Sequence, residues 1–346
     1  MYRYWLIAGA AALTVTSPAH ADHAGPTGAG ADGASLTVIG PDTLEPGAVS
    51  AGARFIYARP DVRSDDELAT LAGDHVHAHD TDYTLNSAVG VAYGVTGNLT
   101  LSAELPYVRR EGLRAAEHSH VHGGGAVNTA EELGDVDGVG DLTVLAKYKI
   151  FEREGKSFSL LGGIKAPTGS TSETSSDGER LETEHQPGTG SWDALIGAAF
   201  GKTFGPMTFS ASVLHQATGE GAQDTELGDL TRVGIALSRR FASVEEPHHH
   251  HHDDGAAPHH HDAPRGAASW DVFVELFGEW EGRQAINGEK EEDSGARAVW
   301  LQPGARYNSA MGWSVAGAIG LPIWQEVRPS HPDNGYRLTV ALGRAF

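Results

Sequence analysis

Cysteine is absent from all 346 residues, and methionine occurs only three times. With no thiols there can be no disulfides and no soft thiolate metal site, so an exported chain of this composition must be held by extended pairing and burial. Basic residues are scarce too: 25 Lys and Arg face 46 Asp and Glu, a formal charge of −21. That balance argues against nucleic acid as a partner. Long apolar runs are missing except for Tyr4 to Val15, which is shorter than the ~20 residues a spanning helix needs. The hydrolase signatures Gly-x-Ser-x-Gly and His-Glu-x-x-His do not occur, and neither does a phosphate-cradling loop with its lysine. No enzyme is expected, and no cofactor is required.

What is present begins with Arg3, the short apolar run and Ala19-His20-Ala21, in the order of a signal peptide with a small-x-small cleavage site. Residues 1–21 are therefore expected to direct export and to be removed, which takes away one arginine and leaves −22. Residues 22–46 are expected to form a flexible N-terminal segment, and 47–346 the folded domain.

Within that domain the dominant signal has a period of two. In 269–282, Trp270, Val272, Val274, Leu276 and Trp280 alternate with Asp271, Glu275, Glu279 and Glu281. In 139–151, Leu142, Val144, Ala146, Tyr148 and Ile150 alternate with Asp141, Thr143, Lys147 and Lys149. The C-terminal stretch, Tyr336 to Phe346, repeats the pattern. Such alternation places one set of side chains on each face of a strand. Twelve segments of this type fall at about 47–58, 83–94, 97–110, 139–151, 157–166, 190–203, 207–216, 229–241, 269–282, 296–308, 312–323 and 335–346. Each is near the length that crosses a bilayer when tilted.

The expected fold is all-β, a transmembrane antiparallel up-and-down β-barrel of about twelve strands with long outer loops. A closed sheet satisfies every backbone group in the hydrocarbon without leaving an edge. A soluble β-sandwich is the competing fold, but the many small residues on the inner faces would pack into a poor dry core. Tight turns at Gly94 to Gly97, Arg153 to Lys156, Gly205-Pro206 and Ser309 to Met311 alternate with long polar connections such as 59–82, 111–138 and 167–189. The histidine-rich tract 242–268 breaks that rule, falls on the short-turn side and is expected to be disordered. Aromatics near strand ends, among them Tyr107, Trp192, Phe200, Trp270, Trp280, Trp313, Trp324 and Phe346, are expected to form interfacial girdles. Arg344 interrupts the last apolar row close to the chain end, where a long side chain can reach the headgroups.

Three segments carry a family resemblance: Gly138-Val139-Gly140-Asp141-Leu142 followed by Lys147-Tyr148, Gly163 to Gly169, and Gly188 to Asp193, with Leu105-Pro106-Tyr107 ahead of them. They resemble the outer-membrane channel family of the meta pathway of phenol degradation. The resemblance implies a barrel in the outer membrane of a Gram-negative-type cell that passes small, often hydrophobic or aromatic, compounds. The motif glycines themselves read as turn and strand-end chemistry. The implied partners are membrane lipid, a small-molecule solute and, through the strand ending at Phe346, the outer-membrane assembly machinery.

The residues expected to line the pore are Arg54, Glu104, Asp141, Lys147, Lys149, Lys165, Asp193, Arg232, Arg240, Asp271, Glu275, Glu279 and Arg306. Charges of both signs would set a transverse field, and a lumen plugged by the same side chains is equally compatible with a barrel of this size.

Fourteen of the nineteen histidines cluster: His75, His77 and His79; His118, His120 and His122; and His248, His249, His250, His251 and His252 with His259, His260 and His261. Imidazole suits Zn, Ni, Co or Cu(II), so these clusters are candidate ligands for a divalent transition metal ion. His185, His215 and His331 stand alone and read as loop or surface residues. Two other functions compete with the channel. One is metal handling through the histidine loops, and the other is a structural or surface-interaction barrel presenting its acidic loops.

Overall fold

The computed structural model describes residues 35–121, 125–242 and 268–346. The expected leader, His122 and both parts of the third histidine cluster lie outside them. The strands are β1 (Val49–Asp61), β2 (Tyr83–Thr96), β3 (Leu99–Val121), β4 (Gly125–Val139), β5 (Leu142–Arg153), β6 (Lys156–Ala166), β7 (Asp193–Phe204), β8 (Met207–Ala217), β9 (Leu230–Ala242), β10 (Ser269–Glu281), β11 (Ala296–Asn308), β12 (Trp313–Val327) and β13 (Asp333–Ala345). All but β4 form one antiparallel barrel in chain order. It closes at two seams. β1 pairs with β13, with Gly52 opposite Gly343 and Tyr57 opposite Leu338, and β3 pairs with β5, with Leu99 opposite Tyr148 and Glu104 opposite Thr143. The twelve strands coincide closely with the twelve alternating segments.

The alternation has its expected outcome on the outside. Along β10, Trp270, Val272, Val274 and Leu276 are exposed while Asp271, Phe273, Glu275 and Phe277 are buried. Val89, Ile196, Ile235, Leu321 and Val340 continue an apolar exterior around the barrel. Exposed over much of their surface, these side chains are stable only against lipid. Trp192 and Trp324 lie toward one rim, and Trp270, Trp313 and Phe346 toward the other. Arg344 lies over the rings of Trp313 and Phe346, 4.9 and 4.7 Å from the two centroids, which shields its charge at that rim.

All connections at one end are tight turns, apart from the 243–267 stretch outside the described residues. At the other end they are long. There the structure departs from the expected loops. Residues 111–121 and 125–138 continue β3 and β4 as a two-stranded extension running from Tyr107 opposite Val139 to Val121 opposite Gly125. Its side chains are mostly polar and partly exposed on both faces, so no apolar stripe marks it in the sequence. Beside it a helix, α1 (Asp65–Gly73), starts at a capping box in which Ser64 and Glu67 satisfy each other's backbone N–H groups. Leu68 and Ala72 are its buried residues, and Arg114 from the extension pairs with Asp65 at its first turn.

Candidate functional site: the lumen and its outer mouth

The interior of the barrel is not uniformly wet. Residues 35–44, within the stretch expected to be flexible, cross the lumen from the β2–β3 turn to the opposite wall. The backbone N–H groups of Leu36, Thr37 and Val38 all donate to Oε1 of Glu275 at 3.1, 2.8 and 2.8 Å. Gln302 Nε2 donates to the other Glu275 oxygen at 2.6 Å and to Thr37 Oγ1 at 3.0 Å. Farther along, Ile39 N donates to Ser212 Oγ at 3.1 Å, Lys147 Nζ to the Gly40 carbonyl at 3.1 Å and Arg306 Nη2 to the Ser35 carbonyl at 2.9 Å. Ser159 bonds the Pro41 carbonyl, and Thr100 Oγ1 accepts from Leu44 N at 2.8 Å.

Apolar contacts seat the same segment. Ile39 is buried among Leu145, Leu161, Leu195, Ala199 and Leu214, all from the inner face, and Leu36 packs with Phe273, Ala316, Ala318 and Ala341. The inner face was expected to be polar, and it departs from that where the segment covers it. An apolar inner residue is stable there because another residue, not water, meets it.

Most of the lumen charges are spent on one another. Arg54 pairs with Glu104 at 2.7 Å, and Glu279 receives Arg232 and Arg337, each at 2.8 Å. Arg240 donates to both oxygens of Asp271 at 2.8 and 2.9 Å, and Asn308 adds a bond at 2.8 Å. Lys149 bonds Glu152 near the tight turn, at 2.7 Å. Of the expected pore residues, Glu275, Lys147 and Arg306 hold the inner segment. The others named here form ion pairs along the wall.

Asp141, Lys165 and Asp193 form a separate network at the loop end, and it gathers all three resemblance motifs. Asp141 accepts from Gly169 N at 2.9 Å and from Thr189 N and Oγ1, both at 2.8 Å. Lys165 Nζ lies 2.6 Å from Asp193, 2.6 Å from Thr189 Oγ1 and 3.4 Å from Asp141. Ser191 and Gln216 each donate to Asp193 at 2.7 Å, and Gly219 N donates to it at 3.3 Å. The glycines let these strand ends touch. A Cβ on Gly169 would sit 2.7 Å from Gly188 Cα and 2.8 Å from Gly140 C. Gly169→Val is accordingly expected to lower stability by about 1–3 kcal/mol. Gly162→Val, at a site with no atom within 4 Å, should leave it unchanged. Urea midpoints of the refolded proteins in detergent check the pair.

Between the inner segment and the loop end lies a cavity of about 70 Å³, bordered by Thr37, Asn86, Phe277, Glu279, Trp300 and Arg337. That is room for a handful of waters. Phe277 stacks on Trp300 with centroids 6.4 Å apart, and the Arg337 guanidinium covers the Trp300 ring at 3.9 Å. Trp300 Nε1 is buried with no hydrogen-bond partner among the described residues. Phe277 and Trp300 escaped the sequence reading because apolar aromatics on a strand count toward the lipid face. Only their odd register against Leu276 and Leu301 marks them.

The histidines sort differently from their spacing. His75 and His118 meet edge to face at 4.6 Å, and His118 and His120 at 5.0 Å, on the outer extension and its neighbour. His77 is exposed. His79 does not join His75 and His77 as one cluster. It is turned the other way by a short strand, His79–Asp80, that pairs with Arg114 and Ala115 and whose Asp80 binds Arg63. It is buried instead against His185 and His331, with ring centroids 4.3 and 4.4 Å away, although both had read as isolated residues. Only the Glu184-His185 dipeptide offered a hint in the sequence. Burial, with His79 and Arg110 alongside, holds the His185 imidazole well below its usual pKa and so neutral. His215 bonds Thr231 Oγ1 at 2.8 Å, away from that group.

A closed twelve-strand antiparallel barrel with an apolar exterior, aromatic rims and a polar interior is a transmembrane β-barrel of the outer-membrane type. The chain belongs to the family described as "Putative MetA-pathway of phenol degradation", whose model matches residues 81–330. Among solved structures it is similar to the outer membrane channel from Pseudomonas putida F1, at 18% identity and a TM-score of 0.57, covering 88% of this chain and 98% of that one. It also matches the β domain of the Bordetella autotransporter BrkA, at 11% identity and a TM-score of 0.45 over 86% of this chain and 100% of that one. A monoaromatic hydrocarbon channel, a TodX mutant, matches at 12% identity and a TM-score of 0.40 over 88% and 92%. No curated protein matches the chain.

Proposed function

We propose that the protein is a non-catalytic outer-membrane channel for small, weakly polar solutes, aromatic ones included, with its tight turns facing the periplasm and its long loops outside. One observation carries this reading: the lumen retains a cavity bordered by the Phe277–Trp300 stack and by ion pairs already satisfied among themselves. Paired charges present a weak net field, so a neutral solute gains more from contact with the aromatic border than an ion gains from the wall. Residues 35–44 serve as the constriction that sets the size limit, and the family's link to phenol degradation fits the aromatic preference.

Liposome flux of the refolded full chain, comparing phenol-sized neutral aromatics with sugars of similar mass, tests it. Faster aromatic flux is the expected result. Liposomes as tight to every solute as protein-free ones would refute a channel, and equal rates for both classes would refute the preference.

A further inference from the structure

Among the described residues, one group of histidines and carboxylates is arranged to share an ion: His79, Glu184 and His185, whose ligand atoms all lie within 4.8 Å of one another. Three outer connections converge on it. His79 comes from the β1–β2 connection, Glu184 and His185 from the β6–β7 connection, and His331 from the β12–β13 connection. The backbone already ties two of these together, because His79 N donates to the Ser330 carbonyl at 2.8 Å.

The distances suit a small transition-metal ion. His79 Nδ1 is 3.3 Å from Glu184 Oε1, and His185 Nε2 is 3.7 Å from the same oxygen. Ligands at ~2.0–2.1 Å from a tetrahedral zinc stand about 3.3 Å apart, so small side-chain adjustments would close the site. His331 completes the logic from the other side. Its Nδ1 lies 2.8 Å from His79 Nε2, a contact that holds the His79 ring with Nδ1 on the side of Glu184. A histidine ligand is commonly oriented in this way by a partner on its second nitrogen. Both ligand imidazoles are buried, at 7% and 3% exposure, which limits competition from water.

We infer that His79 Nδ1, the Glu184 carboxylate and His185 Nε2 form a binding site for a divalent ion of the Zn, Co, Ni or Cu(II) class at the outer mouth of the lumen, with His331 positioning His79. Two nitrogens and one carboxylate oxygen are the donors this class prefers. Three protein ligands leave a fourth position for water or another ligand. His79 and His331 also border the lumen cavity, so the ion would clamp two loops together where the passage opens outward, with the third tied in through the His331–His79 contact.

The test begins with a full-length variant lacking the other clustered histidines: His75, His77, His118, His120, His122, His248–His252 and His259–His261 replaced. Calorimetric titration with Zn²⁺ should still show one equivalent bound, and Co²⁺ should give the absorption of a tetrahedral site. Adding Glu184→Gln, which keeps size and hydrogen bonding, or His185→Ala should abolish both signals. His331→Ala should weaken binding by roughly 10–100-fold without removing it. Heat-modifiable migration on gels confirms that each variant is folded. If the cluster-free variant binds no Zn²⁺, or if folded E184Q binds it with unchanged stoichiometry and Co²⁺ spectrum, the site does not exist.

Discussion

Glu275→Ala is expected to release residues 35–44 from the lumen and raise single-channel conductance several-fold. One carboxylate oxygen accepts three consecutive backbone N–H groups, and the other accepts Gln302. Alanine leaves four donors without their acceptor in a site where Glu275 and Gln302 are fully or almost fully buried. Each buried donor left unmade costs about 1–3 kcal/mol. Against this stand the Ile39 and Leu36 contacts and the bonds from Lys147, Ser212 and Arg306. Burying an aliphatic side chain contributes about 1.5–3 kcal/mol, so the two apolar anchors do not cover the whole loss. The barrel wall itself does not depend on Glu275, since its ladder is made by backbone groups. Planar-bilayer recordings and protease cleavage within residues 35–44 read the outcome. Glu275→Gln, which keeps one acceptor oxygen, should lie between wild type and alanine. Conductance and cleavage unchanged in E275A would mean that the apolar seats alone hold the segment.

The parts of this molecule that follow a repeating rule were legible in the sequence. Strand positions, the lipid face and the charged inner residues all follow from a period of two, because the sheet enforces that period against lipid over its whole extent. The inner segment obeys no period. Leu36 and Ile39 acquire meaning only from Phe273 and Leu145 on walls far away in the chain. The outer extension was hidden for the opposite reason: both its faces meet water, so nothing in its composition separates strand from loop. The histidines show the limit most clearly. Spacing grouped His79 with His75 and His77, whereas folding turns it toward His185 and His331, the latter 252 positions away. Local spacing predicts contact only when the chain stays extended, and the His79–Asp80 bridge to the extension and the positive φ of His75 redirect it. The resemblance glycines read as strand-end chemistry, and Gly140 does sit between two strand ends, whereas Gly169 and Gly188 lie inside the β6–β7 connection. Their tight mutual packing around Asp141 depends on three segments meeting, which no single motif discloses.

Glu279→Ala should markedly destabilise the barrel wall itself. Glu279 is 1% exposed and is the shared partner of Arg232 and Arg337, which approach from β9 and β13. Its removal leaves two guanidinium groups side by side with no counter-charge, and breaking such a buried pair costs about 3–5 kcal/mol. The two arginine side chains keep 11% and 14% exposure, so cavity water offsets part of this and about 3 kcal/mol is the expected loss. Arg337 also loses its anchor over Trp300, and the aromatic border of the cavity should loosen with it. The sign of the effect depends on what remains behind. A triple variant, Glu279→Leu with Arg232→Met and Arg337→Met, removes all three charges together and should recover most of the stability, since apolar replacement of a whole buried ion cluster is often neutral or better. Urea unfolding in detergent micelles compares the three proteins. A single variant as stable as wild type would show that the arginines are solvated without Glu279. A triple variant as unstable as the single would show that shape, not charge, sets the loss.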